Sequence, residues 1–106
     1  MAWYIDYSEK AQKDMKDLNK SVSARVIKAI DKVSQNPLPQ SEGGYGKPLG
    51  NTQSSKLAGC MKIKLKSIGI RVVYRLIRQD NVMKIVIISV RADDEVYKEA
   101  ERRLGE

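Results

Sequence analysis

The sequence contains no histidine and no phenylalanine, and it has one cysteine and three prolines in 106 residues. Without histidine, the chain cannot build a Ser-His-Asp triad, a histidine metal site or a histidine general base. The single cysteine, Cys60, has no partner for an intrachain disulfide, and one thiolate alone does not make a metal site. We therefore expect no metal and no cofactor in this protein.

Long apolar runs are also lacking. No apolar stretch approaches the roughly 18 residues that a membrane-spanning helix needs. The first six residues, MAWYID, show no basic start followed by an apolar signal core. We expect a cytoplasmic protein whose lone thiol stays reduced. Since one hydrophobic core usually occupies about 100–150 residues, we expect a single domain over residues 1–106.

Positive charge is abundant and unevenly distributed. The chain has 20 Lys and Arg against 13 Asp and Glu, which gives a formal net charge of +7. Residues 54–92 hold nine of these basic residues and one acid, Asp80. Such clustering favours a polyanionic partner, whether nucleic acid, an anionic membrane or an acidic protein, although a solvated face that aids solubility explains it too.

Apolar spacing predicts a strand and two helices in the first third of the chain. Residues 3–7 are aromatic and branched, as is typical of a strand, and Ser8 is a suitable helix cap. In the second helix the apolar positions recur at helical spacing and share one face: Val22, Val26, Ile30 and Val33. Asn36-Pro37 ends that helix, because a residue before proline disfavours helical geometry. The two helices should form a hairpin that covers a sheet.

Residues 36–59 are the least regular part of the chain and contain five of its seven glycines. A connection of more than about 15 residues is long for a compact domain. The segment therefore predicts either a functional loop or local mobility.

Three strands and a helix are predicted for the remainder. Residues 61–66 alternate apolar residues with lysine, so that three lysines project from one face. Residues 70–78 form the next strand, with Arg71 and Arg75 on a shared face, and residues 82–90 are apolar on both faces, as in a central strand. A closing helix follows residues 93–95. The order β-α-α-β-β-β-α predicts an α+β fold, in which the helix hairpin packs on a mostly antiparallel four-stranded sheet and a C-terminal helix completes the domain.

The basic residues of these strands form the candidate site. Lys62 and Lys64 are two residues apart on one strand, so their side chains point the same way about 6.5–7 Å apart. Arg71 can reach that face from the next strand, and Arg91 leaves the end of the third. These cations would bind a phosphodiester and stabilise a phosphorane-like transition state. Repulsion between neighbouring ammonium groups favours the neutral form of one lysine, which could then act as a general base.

A simpler interpretation fits the same spacing. The alternating lysines also match the solvent face of an amphipathic strand, and the arginines could pair with acids of the helices. Tyr97 follows the inward-facing Val96, so it is either a ring at the edge of the core or a ring that stacks on a base. Cys60 is expected to be a small buried residue.

Several motifs, in order along nearly the whole chain, resemble the RelE branch of the RelE/ParE toxin superfamily. They are the opening WYIDY at residues 3–7 with the helix hairpin after it, CMKIKL at 60–65, GIRVVY at 69–74, and Arg91 followed six residues later by the tyrosine of EVY at 95–97. The chain differs from the family pattern in Met61 and Ile70, where aromatic residues are common. Val90 also precedes Arg91 directly, without the Gly-Lys often found there.

The resemblance implies a toxin of a bacterial type II toxin–antitoxin pair. Members of this family enter the ribosomal A site and cleave the mRNA there, through attack of a ribose 2′-hydroxyl on the adjacent phosphate. The implied partners are a cognate acidic antitoxin similar to RelB, the small ribosomal subunit with its 16S rRNA, and the mRNA substrate, with no membrane.

Roles for individual residues follow from the same resemblance, position by position. Lys62 and Lys64 match the family's candidate bases and phosphate holders. Arg71 matches the arginine that steadies the transition state, and Arg91 matches the one assigned to charge stabilisation or proton donation to the leaving oxygen. Tyr97 matches a tyrosine that stacks on or orients the substrate.

Two other functions are compatible with this sequence. A toxin like those of the ParE branch would inhibit DNA gyrase by binding, without catalysis, although that branch lacks the basic catalytic set. A plain RNA-binding module would need only the positive charge.

Overall fold

The computed structural model of the protein describes residues 2–49 and 55–105. The main elements, in chain order, are β1 (Tyr4–Tyr7), α1 (Glu9–Lys16), α2 (Lys20–Ser34), β2 (Lys47–Pro48), β3 (Cys60–Leu65), β4 (Ile70–Ile77), β5 (Val82–Ser89) and α3 (Asp93–Leu104). Short 3₁₀ turns lie at Gln40–Glu42, Ser55–Leu57, Lys66–Ile68 and Arg78–Asp80. The predicted α+β fold and its element order are confirmed, with one added strand.

The sheet has the strand order β1-β5-β4-β3-β2, in which β1 runs parallel to β5 and the other pairs are antiparallel. The added strand is β2, which pairs Lys47 with Lys62 and Pro48 with Met61. Two residues are too few to show an alternating pattern, so no sequence pattern indicates this strand. Residues 50–54, which belong to the segment expected to be irregular, lie outside the described residues. Within residues 2–49 and 55–105, every helix is too short or too polar to span a membrane.

The helix hairpin covers one face of the sheet because each helix begins at a side-chain cap and presents an apolar stripe. The Ser8 hydroxyl accepts the Ala11 N–H at 3.2 Å, and the Asn19 side chain accepts the Val22 N–H at 2.9 Å. Val26 and Ile30 of the predicted stripe are fully buried. They form the first core with inward residues of the strands: Met61, Ile63, Ile70, Val72, Tyr74, Met83, Ile85 and Ile88.

Strands β3, β4 and β5 each end one residue earlier than the sequence pattern predicts. Lys66 and Arg78 were expected to continue β3 and β4, but each begins a 3₁₀ turn. These turns close on left-handed residues, Gly69 with φ of 66° and Asn81 with φ of 54°. Only two of the three lysines therefore project from β3.

The connection between α2 and β2 is held by specific contacts. The buried Tyr74 hydroxyl donates to the Pro37 carbonyl at 2.9 Å, and burial raises the pKa of this phenol. Arg78 binds both carboxylate oxygens of Glu42, at 2.9 and 2.7 Å. At Gly46 an added Cβ would lie 2.7 Å from the Tyr74 hydroxyl, so only glycine fits there. These contacts position β2 against β3.

A bulge in β5 creates the second core. Val73 pairs with Ile87 and Tyr74 with Ile85, so Val86 has no partner on β4. Because of this skip, Val86 and Ile87 both face the side of the sheet on which α3 packs. They join Val96, the residue of α3 predicted to face inward, and Ala100, and both of these are fully buried.

Asp14 and Arg103 tie α3 to the rest of the domain. β1 ends opposite Ile85, and beyond that point the Ile88 N–H donates to Asp14 Oδ2 at 3.0 Å. The Arg103 guanidinium donates to the Val86 carbonyl at 2.9 Å and to Asp14 Oδ2 at 2.7 Å. Burial disfavours the charge on Arg103, but the hydrogen bonds and charges of Asp14 and Glu99 outweigh it and raise its pKa.

We expect Asp14→Ala to destabilise the protein, because it removes the acceptor of one β5 amide and the main partner of a largely buried guanidinium. The free energy of unfolding should fall by about 2–3 kcal/mol. Urea denaturation followed by circular dichroism measures the change.

The matched control is Asp17→Ala at the exposed end of the same helix, which should stay within about 0.5 kcal/mol of the parent protein. Equal stabilities for the two variants would show that the Asp14–Arg103 pair does not anchor α3.

Candidate active site

Lys64 and Arg71 lie directly opposite each other on β3 and β4. Directly opposed residues of an antiparallel pair have Cβ atoms about 4.5–5.5 Å apart. Lys62 lies two residues back on β3, opposite Val73. Since Val73 belongs to the core under α3, all three cations project from the α3 side of the sheet, as the alternation predicted.

Arg91 reaches the same region through its backbone. Ser89, the last residue of β5, is paired with Arg71 on β4. Arg71 Nη1 donates to the Arg91 carbonyl at 2.9 Å, and the Arg91 N–H donates to the Ser89 hydroxyl at 3.1 Å. The backbone of the exposed Arg91 therefore lies next to the Arg71 guanidinium, although the two residues are 20 positions apart in the chain.

Tyr97 is on the second turn of α3 and is half-buried. Its ring packs against the second core, which includes Val73 and Ile87 of the sheet. It therefore lies on the same side of the sheet as the four basic residues. The helix itself begins at Asp93 with Ala92 as its N-cap, which makes no side-chain cap bond.

The basic residues line shallow hollows on an open face. Lys64 and Arg71 line a hollow of about 160 Å³ beside Gly69 at the β3–β4 turn. Ser89 and Arg91 line another, of about 210 Å³. A phosphodiester could be held on this face by charge and by N–H donors, but the two hollows do not enclose a substrate on all sides.

Two residues near the site were not anticipated. Lys47 of β2 is directly opposite Lys62, and it adds a cation to the same edge of the sheet. Its position in a two-residue strand carried no sequence signal. Ser89 accepts the Arg91 amide, and a serine two residues before an arginine is too common a pattern to indicate such a bond.

No group of three or more Cys, Asp and Glu within residues 2–49 and 55–105 is arranged to hold a metal ion. Cys60 is buried, as expected, and lies opposite Arg75 on β4. Burial raises the pKa of its thiol to about 11, even though the charge of Arg75 favours the thiolate. A thiol in this state is a poor nucleophile at neutral pH.

We expect Cys60 of the folded protein to resist alkylation. At pH 8, a pKa near 11 leaves the thiolate fraction about 100-fold below that of a thiol with a pKa of 9, and burial slows the reaction further. The rate of iodoacetamide labelling, followed by mass spectrometry with and without denaturant, measures this difference. Cys60→Ser serves as the control for labelling elsewhere, and equal rates for folded and unfolded protein would contradict the prediction.

Comparison with known protein families gives a match over most of the chain. The model for the ParE toxin of the type II toxin–antitoxin system parDE matches residues 5–97. Among curated proteins, the mRNA interferase toxin RelE of Escherichia coli is 31% identical over 104 residues, which cover 98% of this chain and 99% of RelE.

Solved structures of similar fold lead to the same group of proteins. An E. coli RelE mutant in the free state matches with a TM-score of 0.74 and 29% identity, over 97% of this chain and 98% of RelE. The intact E. coli RelBE toxin–antitoxin complex matches with a TM-score of 0.65 and 26% identity, over 86% of this chain and 99% of the matched chain. The match to free RelE, at 97% of this chain, thus extends over both the sheet and α3.

Proposed function

The chain belongs to the RelE/ParE family of toxins from type II toxin–antitoxin systems, and from this premise we propose that it is a ribosome-dependent endoribonuclease. Its substrate is mRNA in the ribosomal A site, and its effect is to stop translation. The observation that carries the proposal is that basic residues of β3, of β4 and of the segment after β5 lie close together at one end of the sheet. Lys64 is opposed to Arg71, and Arg71 holds the backbone of Arg91.

This arrangement favours catalysis over simple binding. Lys64 and Arg71 are directly opposed cations, and like charges in this position repel each other, so a bound anion would lower the free energy of the pair. A docking surface needs only net positive charge, whereas transition-state stabilisation needs cations fixed relative to one another. The hydrogen bond from Arg71 Nη1 to the Arg91 carbonyl supports such an arrangement, because it holds the Arg71 guanidinium against the backbone from which the Arg91 side chain extends. The full-length similarity to RelE, which is named an mRNA interferase, supports the same conclusion.

The proposed reaction is transesterification within the mRNA strand. Lys62 or Lys64 acts as the base that accepts the proton of a ribose 2′-hydroxyl. The 2′-oxygen then forms a bond to the adjacent phosphorus while the bond from phosphorus to the 5′-oxygen of the next nucleotide breaks. The products are a 2′,3′-cyclic phosphate and a free 5′-hydroxyl, so no water is consumed.

The arginines act on the charge that develops during this step. Arg71 binds the non-bridging phosphate oxygens as they gain negative charge. The backbone of Arg91 lies next to it, and the Arg91 side chain stabilises the departing 5′-oxygen, which takes up a proton from solvent as it leaves. Tyr97 orients the substrate by stacking on a base at the edge of α3.

The open shape of the site explains why a ribosome is needed. The hollows lined by Lys64, Arg71 and Arg91 are shallow, so the protein alone holds an RNA strand in many orientations. In-line attack requires the 2′-oxygen, the phosphorus and the leaving oxygen to be aligned. The decoding centre would impose this alignment, while the toxin supplies the proton acceptor and the positive charge.

An acidic antitoxin similar to RelB is the proposed partner that keeps the toxin inactive. The relative in the intact RelBE complex is a toxin bound to its antitoxin. A net charge of +7 on this chain favours an acidic segment that folds on binding.

We expect cleavage of mRNA only when it is bound to the ribosome. Purified protein should cut mRNA in the empty A site of programmed ribosomes and leave the same free mRNA intact at equal concentration, because only the ribosome aligns the 2′-hydroxyl. Primer extension maps the ends that form. Filling the A site with tRNA is the control and should protect the mRNA, while equal cutting of free and bound mRNA would contradict the proposed mechanism.

We expect Arg71→Ala and Arg91→Ala to lower the chemical rate while the matched variant Arg75→Ala does not. Loss of a group that stabilises transition-state charge costs about 10²–10³-fold in rate. Arg75 lies four residues farther along β4, opposite Cys60 and Lys84, away from Arg91. Its loss should weaken association modestly and reduce the salt dependence of binding. Single-turnover cleavage at saturating ribosome concentration separates the two effects.

Equal small losses in all three variants would mean that the face serves for docking alone. Gyrase inhibition is the second candidate function, since the family model that matches is that of ParE. A supercoiling assay with the same protein tests it directly. Gyrase inhibition together with intact ribosome-bound mRNA would replace the proposed function with this one.

A further inference from the structure

The segment that carries Arg91 has little packing of its own. Residues 90–92 join β5 to α3, and Val90 is 67% exposed, while Arg91 and Ala92 are exposed as well. Apolar burial therefore does not fix this link. Its geometry depends on hydrogen bonds at its ends and on the two elements that it joins.

Two hydrogen bonds hold Arg91 from opposite sides. The N–H of Arg91 donates to the Ser89 hydroxyl at 3.1 Å, and its carbonyl accepts from Arg71 Nη1 at 2.9 Å. Ser89 and Arg71 are paired across β5 and β4, so both holding groups belong to the rigid sheet. A bond from a serine hydroxyl to the amide two residues later is a local turn that sets the direction in which the chain leaves the strand.

We infer that Ser89 is a positioning residue for Arg91, an inference that rests on the proposed function. Its hydroxyl fixes the backbone turn after β5, and this turn directs the Arg91 side chain towards the scissile phosphate. Besides holding the Arg91 carbonyl, Arg71 binds the phosphate in the proposed mechanism. The only role inferred for Ser89 is to hold the turn. Only Val90 separates Arg91 from Ser89, the last residue of β5. The serine hydroxyl is therefore close enough along the chain to accept the Arg91 N–H.

The experiment compares Ser89→Ala, Ser89→Thr and Ser41→Ala in single-turnover cleavage of ribosome-bound mRNA. Ser89→Ala should lower the rate at saturating ribosome roughly tenfold, since a catalytic group misplaced by about 1 Å can lose up to about 10²-fold. The ribosome concentration for half-maximal rate should not change. Ser89→Thr keeps the hydroxyl and should restore the rate, because the hollow of about 210 Å³ beside Ser89 has room for a methyl group. The control serine, Ser41, is exposed in the turn at Gln40–Glu42 and should have no effect.

A double variant tests whether the effect acts through Arg91. In an Arg91→Ala background, Ser89→Ala should cause no further loss, because the side chain that it positions is absent. An equal fractional loss in both backgrounds, or an unchanged rate in Ser89→Ala, would overturn the inference. Failure of Ser89→Thr to recover activity would also count against the hydroxyl.

A measurement on the free protein separates this inference from the proposed function. The hydrogen-exchange rate of the Arg91 amide, observed by NMR, should rise in Ser89→Ala and stay near the parent value in Ser89→Thr. If the unsubstituted protein does not cleave ribosome-bound mRNA, the proposed function fails and the positioning role fails with it, even where exchange shows that the bond exists. If the protein cleaves and the Arg91 amide exchanges equally in all variants, only the positioning role fails.

Discussion

The arrangement of the α3 side of the sheet depends on the side chains that bind the β5 backbone beyond the end of β1, where no strand pairs with that edge of β5. A strand with no neighbour leaves N–H and C=O groups that must find other partners. Here the partners are side chains, because Asp14 accepts the Ile88 amide and Arg103 donates to the Val86 carbonyl. The two side chains also bind each other, at 2.7 Å. One bonded pair therefore closes the sheet edge and holds the C-terminal helix that carries Tyr97.

The two faces of the sheet have different coverage, and this difference determines where the site can be. The helix hairpin covers one face with a continuous apolar core. On the other face α3 covers the middle, around Val73 and Ile87, and the ends of the strands remain open. Lys62, Lys64 and Arg71 lie towards these open ends of the strands. Their positive charge favours an anionic ligand on this side of the sheet.

The sequence was sufficient for the features that repeat along the chain. Alternation in residues 61–65 identified the face on which Lys62 and Lys64 lie, and helical spacing identified Val26 and Ile30 as core. Lys66 was assigned to the strand because alternation does not show where a turn begins. The bulge was also hidden, since residues 85–88 are apolar throughout and a skipped residue leaves no mark in such a run.

Contacts between distant segments could not be predicted in this way. The hydrogen bond from Arg71 to Arg91 joins two strand ends, and the opposition of Lys47 and Lys62 depends on a two-residue strand. Neither follows from local propensity, because each depends on the register of the folded sheet. The resemblance to a family identified which arginines to consider, but only the geometry shows that one of them holds the other.

The absence of histidine makes this geometry more important for the proposed chemistry. A histidine can take and give a proton near neutral pH, whereas lysine is mostly protonated there and arginine always is. A site built from these two residue types gains most of its effect from where the charges lie, since it has little proton-transfer capacity. Anchoring the Arg91 backbone to the end of β5 through Ser89 and to β4 through Arg71 is then the feature on which the proposed catalysis depends. The same reasoning would account for the proposed dependence on the ribosome, because these residues do not themselves align the RNA strand.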